Sequence, residues 1–251
     1  MDASLVDRFG ARQGLVCAVG AGGKKTVLYA LAAVHPGRIA LTTTVHTTYP
    51  PEALAFEKFV APDQALLQRA GELAGYRRVA LFGTEGKPGR HGGLEPETIT
   101  RLHEAGGFDL TLVKADGARM RWIKAPRDYE PVLPPGTTHV IGVLSARAIG
   151  QPLTERIAHR VELISELTGC PPGGTFTPEH MGRLISSPSG LRSGTEGIPF
   201  TAVLNAVDDP EREALARAAA EAALGFDASL DRVILASMRN SEQPVVAVVE
   251  A

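Results

Sequence analysis

The chain has 251 residues, of which 44% are apolar and 22% charged, and its formal net charge is −2. This composition is ordinary for a soluble globular protein, and the length is compatible with one large α/β domain or two small ones. The near-neutral charge gives no electrostatic case for binding nucleic acid or an anionic membrane. No apolar stretch approaches the roughly 18–20 residues that a membrane-spanning helix requires.

The N-terminal segment and the cysteines indicate the cellular compartment. The segment MDASLVDRFGARQG carries acidic residues and lacks the apolar core of a secretion signal. Only two cysteines are present: Cys17 in a predicted strand, and Cys170 before a Pro-Pro-Gly-Gly turn. Neither has partners at the spacing of a metal site. We therefore expect a reduced, cytoplasmic protein with two structural thiols.

Short apolar segments alternate with helical patterns along the chain. Several of the apolar segments are near-continuous runs of Val, Ile, Leu and Ala, which are typical of strands covered on both faces. The predicted strands span 14–19, 38–43, 78–83, 109–115, 139–144, 200–206, 232–237 and 245–249. The predicted helices span 25–34, 62–74, 96–105, 153–168, 178–185 and 209–224.

This alternation predicts a single α/β domain over residues 1–251. We expect a mainly parallel sheet of about seven or eight strands with helices on both faces. Ligands in such folds collect at the carboxyl ends of the strands, so the residues directly after each strand are the first candidates for a site. Two loop-rich regions, 117–138 and 169–197, interrupt the alternation. Ordered loops of this length are often functional.

The first predicted strand ends in a glycine-rich segment followed by two lysines and a threonine. Glycines let the backbone turn tightly with its N–H groups facing an anion, and the start of the next helix adds the positive end of its dipole. A lysine adds a mobile positive charge. The segment LVCAVGAGGKKT therefore predicts a phosphate cradle. Its predicted nucleotide-binding residues are Gly20, Ala21, Gly22, Gly23, Lys24, Lys25 and Thr26.

The Walker pattern G-x-x-x-x-G-K-[ST] fits this segment in two incomplete registers. If Lys24 is the phosphate lysine, Ala18 replaces the first glycine and Lys25 occupies the position of the Mg²⁺-binding hydroxyl. If Lys25 is the phosphate lysine, Thr26 supplies the hydroxyl but Lys24 stands where the last glycine belongs. Both registers stay open, and Lys24 is our predicted catalytic lysine.

Oxygen-bearing side chains follow two further predicted strands. Thr42–Thr44 end one of them, where hydroxyls can hold a phosphate or a metal-bound water, although strands also favour threonine. Asp116 ends another, an arrangement in which a carboxylate holds Mg²⁺; a turn or cap residue is the alternative. We predict a catalytic role for Asp116 and a possible Mg²⁺ site at Thr43 and Asp116.

Asn205 and Asp208 end a later apolar strand in the segment Asn-Ala-Val-Asp. In guanine-specific P-loop proteins an Asn-Lys-x-Asp segment at this place recognises the base, because the aspartate accepts hydrogen bonds from the N1–H and 2-amino groups. Here Ala206 replaces the lysine. The alternative is a strand end leading into a helix capped by Asp208 or Asp209. We predict that Asn205 and Asp208 bind the nucleotide; Ser237 follows the next strand, where a second base-contacting loop would lie.

The loop at 117–138 concentrates positive charge beside aromatic residues. Four cations, Arg119, Arg121, Lys124 and Arg127, lie within nine residues together with Trp122. A solvated loop, a clamp for an anionic ligand and a partner-docking loop are all open interpretations, although tryptophan rings usually pack or stack on a partner. The predicted substrate or partner residues are Arg121, Lys124, Arg127 and Glu130.

The helix predicted over 153–168 carries His159 and Arg160 beside an apolar stripe formed by Ile157, Val161, Ile164 and Leu167. A stripe with this spacing is typical of a helix with one buried face. We interpret His159 and Arg160 as ordinary surface residues that flank that face.

Three segments together resemble the YqeC family of selenium-dependent hydroxylase accessory proteins, also called selenium cofactor biosynthesis proteins. They are VGAGGKKT, LTTTVH and KADGARMRWIKAPRDYEPVLPPGTTHVIGV. The later stretches IGQPLTERIAHRVE and VLNAVDD fit the same pattern, so that the likeness covers most of residues 14–210. The resemblance implies a P-loop-like α/β fold and a role in maturing selenium-containing molybdenum hydroxylases.

The resemblance also assigns positions and shows two departures. Its matching residues are Gly20, Gly22, Gly23 and Lys24 for phosphate, Thr42–Thr44, Asp116, the signature-loop residues Lys124, Pro126, Glu130 and Pro131, and Asn205 with Asp208. Lys25 stands where the family usually has threonine or serine, and Lys114 where it usually has glutamate. Both lysines replace an oxygen ligand or an acid near the expected Mg²⁺ position. They predict weaker Mg²⁺ dependence or poor hydrolysis, unless Thr26 serves the metal.

We therefore expect a nucleotide-binding accessory protein that uses GTP, ATP or CTP, with Mg²⁺ as a possible cofactor. Its expected partners are the nucleotide and a selenium-dependent molybdenum hydroxylase or the proteins that mature its cofactor, with no nucleic acid or membrane. Whether it is a P-loop NTPase stays open, because phosphate binding does not require turnover. One alternative is a non-catalytic chaperone or docking protein with a vestigial phosphate loop. Another is a kinase or nucleotidyltransferase acting on a cofactor precursor, with the second anionic substrate held at 119–127.

Overall fold

The structure is a computed structural model that describes residues 4–87 and 89–251. It is an α/β fold with a ten-stranded, mostly parallel sheet flanked by helices, which confirms the predicted class and exceeds the predicted number of strands. The strands are β1 Gly14–Gly20, β2 Ile39–Thr43, β3 Glu57–Val60, β4 Arg78–Lys87, β5 Arg90–Gly92, β6 Leu110–Lys114, β7 Ile123–Lys124, β8 Thr137–Ser145, β9 Ala158–His159, β10 Phe200–Asn205, β11 Arg232–Ala236 and β12 Val245–Glu250. The α-helices are α1 Ser4–Arg8, α2 Lys24–Val34, α3 Asp63–Gln68, α4 Pro96–Gly106, α5 Val161–Thr168, α6 Pro178–Ser186 and α7 Pro210–Phe226. Short 3-10 helices span Glu52–Leu54, Ala70–Gly75 and Ala146–Ala148.

The main sheet has the strand order β12-β11-β10-β8-β1-β6-β2-β4-β3, and β5 pairs antiparallel with β4. Parallel pairing joins β1 to β6, β6 to β2, β2 to β4, β4 to β3 and β10 to β11, whereas β12 is antiparallel to β11. Strands β7 and β9 form a separate two-stranded parallel sheet. The strands β1, β2 and β6 are almost wholly buried, which explains their near-continuous apolar sequences.

The chain forms two compact units. The first consists of the residues up to Ala18 with Val27–Gly117 and Val132–Val140, and the second of Val19–Thr26, Ala118–Pro131 and Ile141–Ala251. Strands β1 and β8 each have residues in both units, because the unit boundary falls after Ala18 in β1 and after Val140 in β8. Residues 19–26 of the glycine-rich segment, the basic loop at 118–131 and the Asn205 segment therefore all lie within the second unit.

Helices α6 and α7 pack closely in the second unit because small residues line their contact. Four alanines of α7 are fully buried, and a Cβ atom added to Gly182 of α6 would lie only 2.7 Å from the Ala222 Cβ. The start of α6 is capped by Thr177: its hydroxyl accepts a hydrogen bond from the His180 N–H, and Pro178 occupies the first turn. The buried alanines are Ala216, Ala219, Ala220 and Ala223.

The helix predicted over 153–168 is wrong in its first half. Helix α5 begins only at Val161, and Arg160 precedes it as the N-cap residue with φ 73°. A non-glycine residue in this left-handed conformation does not continue a right-handed helix. His159, just before it, belongs to β9 and pairs with β7. The apolar residues before α5 are still buried, but they belong to a loop and a short strand instead of a helix.

The remaining differences involve short elements. Strands β3, β5, β7 and β9 have two to four residues and lie outside the predicted set, because none of them carries a long apolar run. The helix predicted over 62–74 divides into α3 and a 3-10 helix. Short polar strands depend on their pairing partners more than on their own sequence.

Candidate functional site

The glycine-rich segment forms a tight connection between β1 and α2. Gly20, Gly22 and Gly23 have φ of 92°, 70° and 139°, a region of backbone conformation that side chains disfavour. A Cβ atom at Gly22 would also lie 2.6 Å from the Ser145 nitrogen and 2.6 Å from the Trp122 carbonyl oxygen. Both the backbone conformation and the lack of space therefore require glycine here.

Part of this loop's hydrogen-bonding capacity is used by the protein itself. The Ala21 N–H donates to the Val143 carbonyl at 2.7 Å, and the Gly22 N–H donates to the Arg121 carbonyl at 3.0 Å. An anion at the loop would therefore meet the backbone of Gly23 and the first turn of α2, where the positive end of the helix dipole lies. The part of the predicted phosphate cradle that is left for an anion is therefore its C-terminal half, from Gly23 onward.

Lys24 is the first residue of α2 and is nearly buried, with 5% of its surface exposed. Its ammonium group donates to the carbonyl oxygen of Gly20, so the side chain folds back over the loop that precedes it. The first turn of α2 has no acidic residue. This placement favours the register in which Lys24 is the lysine of the loop, and Lys25 and Thr26 are half-buried.

Asn205 links the glycine loop to the ends of β10 and β11. Its side-chain nitrogen donates to the Gly22 carbonyl at 3.0 Å, and its side-chain oxygen accepts from the Met238 N–H at 3.2 Å. The Asn205 Nδ2 atom also occupies the space beside Gly23, where an added Cβ would approach it to 2.0 Å. Asn205 is thus the residue that holds these two predicted nucleotide-binding segments together.

Asp208 accepts two hydrogen bonds from side chains. Ser237 Oγ donates to its Oδ1 at 2.8 Å, and Arg147 Nη2 donates to its Oδ2 at 2.7 Å. Partial burial on its own would raise the pKa of Asp208, but the bonds from Ser237 and Arg147 lower that pKa below its usual range. The cap of α7 is Asp209, whose Oδ1 accepts from the Arg212 N–H at 2.8 Å, so Asp208 does not cap this helix.

Glu130 is the centre of a buried ionic cluster in the second unit. Its carboxylate accepts from Lys124 Nζ at 2.7 Å and from the two terminal nitrogens of Arg160 at 2.8 and 2.9 Å. The side chains of Lys124 and Arg160 are only 1% and 12% exposed. Burial on its own would raise the pKa of Glu130, but the hydrogen bonds from Arg160 and Lys124 lower it to about 2. Arg160 also donates to the Ala125 carbonyl at 2.7 Å, which fixes the loop to the start of α5.

The interpretation of His159 and Arg160 as ordinary surface residues is wrong for Arg160, which is mostly buried against Glu130. Because α5 starts later than predicted, the two residues lie on β9 and at the helix cap rather than on a solvated helix face. Burial, together with the positive charges of Arg160, Lys124 and Arg119, lowers the pKa of His159 to about 4 against the opposing effect of Glu130. The imidazole is therefore neutral at physiological pH.

The predicted basic loop divides into an internal and an external part. Lys124 and Glu130 belong to the buried cluster, whereas Arg127 is exposed and donates to the Tyr129 hydroxyl at 3.1 Å. Arg121 is half-buried, and its carbonyl is the acceptor for the glycine loop. The loop therefore stabilises the glycine segment through this hydrogen bond, whether or not it also contacts a ligand.

The threonine cluster and Asp116 lie in the first unit. The hydroxyls of Thr42, Thr43 and Thr44 donate to the carbonyls of Leu81, Lys114 and Val132 at 2.7, 2.8 and 3.1 Å, so they join neighbouring backbone segments. Lys114 donates from its ammonium group to the His46 carbonyl at 3.2 Å. Asp116 is 3% exposed and follows β6, with β7 as the next element, so it caps no helix. The metal role of Thr43 and Asp116 stays a prediction.

Both cysteines are buried and free, as expected of structural thiols. Burial raises the pKa of Cys17 to about 12, against a smaller opposing effect of the Thr137 hydroxyl, and burial also raises the pKa of Cys170. Neither thiol is therefore a ready nucleophile. Within residues 4–87 and 89–251, no group of three His, Cys, Asp or Glu side chains is placed to hold a metal ion. No helix in the same ranges is both long and apolar enough to span a bilayer.

Two residues of these clusters, Arg147 and Arg160, are outside the predicted site. Arg147 lies in a 3-10 helix directly after β8, and Arg160 precedes α5. Their acidic partners are 61 and 30 residues away in the sequence. The available signals were the position of Arg147 after a strand, where such folds bind ligands, and the position of Arg160 in the stretch IGQPLTERIAHRVE that resembles the family.

Comparison with known proteins places the chain among its relatives. The sequence model of the family described as YqeC protein matches residues 16–162. A curated relative, "Uncharacterized protein YqeC" of Escherichia coli (strain K12), is 29% identical over 192 residues, which cover 74% of this chain and 74% of that protein. No solved structure matches the chain. The family match includes the glycine loop and the Glu130 cluster, whereas Asn205 and Asp208 lie beyond it.

Proposed function

Because this chain belongs to the YqeC family, we propose that it is a nucleotide-binding accessory protein in the maturation of selenium-dependent molybdenum hydroxylases. The maturation role comes from the family resemblance, and nucleotide binding is supported by contacts within the second unit. One observation carries the proposal: the Asn205 amide bonds the Gly22 carbonyl and the Met238 N–H at once. A candidate phosphate cradle and a candidate base-binding segment are thereby parts of one hydrogen-bonded frame.

In this P-loop-like arrangement the phosphates lie against Gly23 and the first turn of α2. The start of a helix attracts an anion because the positive end of the helix dipole lies there. Lys24 already lies over the loop, bonded to the Gly20 carbonyl, and a phosphate oxygen is a stronger acceptor for its ammonium group. Binding would therefore move the Lys24 ammonium from a backbone carbonyl to the ligand.

Replacing Lys24 with methionine is expected to weaken nucleoside triphosphate binding by at least about tenfold, because a charge-assisted contact is lost while the stem is kept. Isothermal titration of the full chain with ATP, GTP and CTP measures this. Lys58→Met, at an exposed position of β3, is the matched control and should bind like the wild type. Absence of binding to the wild-type protein, or unchanged affinity in the Lys24 variant, would contradict the proposal.

The metal dependence of binding is expected to be weak. Lys25 provides a cation where the family has a hydroxyl, so the wild type should bind the nucleotide with affinities that differ by less than about threefold between Mg²⁺ and EDTA. Lys25→Thr restores the family's residue and should increase the dependence on Mg²⁺. A large loss of wild-type affinity in EDTA would instead assign the metal-binding hydroxyl to Thr26.

A docking function has its own supporting observation. Met120 and Tyr129 are 88% and 65% exposed, in the same loop as the exposed Arg127. Exposed apolar and aromatic side chains beside arginine are typical of protein interfaces. If the Lys24 variant keeps its function in maturation while Met120→Ser with Tyr129→Ser loses it, the docking surface is the working part of the protein and the phosphate loop is vestigial.

A further inference from the structure

The Asp208 carboxylate is held in a fixed orientation and can accept further hydrogen bonds. Each of its oxygens accepts one side-chain hydrogen bond, from Ser237 at 2.8 Å and from Arg147 at 2.7 Å. A carboxylate oxygen has two lone pairs, so each oxygen retains one acceptor site. The Asp208 side chain is 28% exposed, which leaves it accessible to a ligand.

A carboxylate of this kind selects a ligand edge that presents two adjacent donors. The N1–H and 2-amino group of guanine form such an edge, and both hydrogen bonds to the carboxylate are charge-assisted. Adenine and cytosine place a ring-nitrogen acceptor beside their amino group, and uracil flanks its N–H with two carbonyls. Each of these bases would place at least one acceptor against the carboxylate.

We infer that Asp208 recognises guanine and that the ligand of this chain is a guanine nucleotide. The inference rests on the proposed nucleotide-binding function and names the base for the same site. Asp208 contacts the base, and Ser237 and Arg147 are positioning residues that hold its carboxylate. Adenine and cytosine nucleotides are excluded by acceptor-to-acceptor repulsion rather than by size.

The position of Asp208 in the second unit fits this role. Asn205, three residues earlier, is bonded to the Gly22 carbonyl, and the Val207 N–H donates to the Ala236 carbonyl at 3.0 Å beside Ser237. The turn between them places Ala206 at φ 64°, a conformation that costs energy for a residue with a Cβ atom. Strained backbone of this kind is concentrated at functional sites.

A purely structural role does not account for Asp208. It does not cap α7, because Asp209 does so. Its ion pair with Arg147 is partly exposed on both sides, and such pairs contribute little to stability. Ser237 is 8% exposed and its hydroxyl needs an acceptor, but a neutral carbonyl oxygen would satisfy it as well as a carboxylate does. Together these contacts orient the Asp208 carboxylate and favour its ionised form. It lies at the end of a strand, where such sheets bind ligands.

The decisive experiment is Asp208→Asn with GTP, ATP and XTP titrated into the full chain. Asparagine offers one acceptor and one donor, which match the N1–H and 2-carbonyl of xanthine rather than guanine. We expect wild-type protein to bind GTP at least about tenfold more tightly than ATP, and the variant to lose that preference and gain at least about tenfold in XTP affinity. Ser237 tolerates the amide, because a hydroxyl can accept as well as donate.

Asp209→Asn is the matched control, because asparagine is an equally good helix cap and the change of charge is the same. It should leave the preference for GTP unchanged. Gain of XTP binding also proves that the Asp208 variant is folded. Ser237→Ala provides a second arm and should reduce the GTP-to-ATP ratio without any gain for XTP.

The outcomes distinguish guanine recognition from nucleotide binding as such. If the wild type binds GTP and ATP equally, or if Asp208→Asn retains GTP preference, guanine recognition is overturned while nucleotide binding stands. If the wild type binds none of GTP, ATP and CTP, the proposed function fails, and the guanine inference fails with it.

Discussion

Replacing Glu130 with glutamine is expected to lower the free energy of unfolding by about 3–5 kcal/mol, the range for removing one charge of a buried ion cluster. Glutamine keeps one acceptor but replaces the other oxygen with a donor, which then faces a positively charged side chain. Lys124 is 1% exposed, so its ammonium group cannot regain full hydration without moving. Urea unfolding followed by circular dichroism measures the change.

The stability of the wild type should also depend on pH through Glu130. The pKa of this carboxyl falls from an ordinary 4.5 to about 2 in the folded protein. At pH values between these two, the unfolded chain therefore binds more protons than the folded protein does. The stabilisation is therefore present above about pH 4.5 and is lost as the pH falls toward 2. The Glu130→Gln variant should lack this part of the acid transition.

Two comparisons make the test specific. Glu166→Gln, at an exposed position on α5, should change stability by less than about 0.5 kcal/mol. Lys124→Met combined with Glu130→Gln should be more stable than Glu130→Gln alone, because the buried cation is removed together with its partner. A loss below about 1 kcal/mol for Glu130→Gln would show that the cluster is hydrated and contributes little.

Gly22→Ala is expected to destabilise the second unit by about 3 kcal/mol and to abolish nucleotide binding. A left-handed conformation costs an alanine about 1–2 kcal/mol, and forcing a methyl group into packed structure costs about 1–3 kcal/mol more. The added Cβ would meet backbone atoms of Ser145 and Trp122 at 2.6 Å, and backbone cannot rotate away as a flexible side chain can. The loop would have to shift, and with it the groups that face the phosphate.

Gly225→Ala is the matched control in the same unit. Gly225 lies in the last turn of α7, with no atom within 4 Å of an added Cβ, so alanine should raise stability by about 0.5 kcal/mol. Thermal unfolding and GTP titration of both variants measure the two effects. If Gly22→Ala unfolds and binds like the wild type, the loop is more plastic than its contacts indicate, and glycine is not required there.

Much of the fold follows from sequence patterns that act locally. The buried strands β1, β2, β6, β10 and β11 correspond to apolar runs, and the helix predicted over 178–185 forms as α6 with Thr177 as its cap, because burial and capping need only neighbouring residues. The first half of the predicted 153–168 helix does not form: Arg160 adopts a left-handed conformation, and its side chain bonds Glu130 from 30 residues away. No local pattern reports such a contact.

The candidate site likewise has features that local sequence patterns predict and others that depend on contacts between distant residues. The glycine loop, Lys24, Asn205 and Asp208 are recognisable from residue type and position after a strand. Whether Asp208 caps a helix or faces a ligand is not visible in the segment Asn-Ala-Val-Asp-Asp, since both aspartates are competent caps. The structure separates them: Asp209 caps α7, and Asp208 bonds Ser237 and Arg147.

By itself, the sequence determined the α/β class, the buried strands and the glycine loop at the end of the first strand, because periodicity, apolar burial and glycine conformation depend on consecutive residues. Only the tertiary structure decided the partners of the charged and polar groups. Glu130 bonds Arg160 and Asn205 bonds Gly22, across 30 and 183 residues of chain. Such pairings depend on distance in space, and a buried polar group takes whichever partner the fold brings to it.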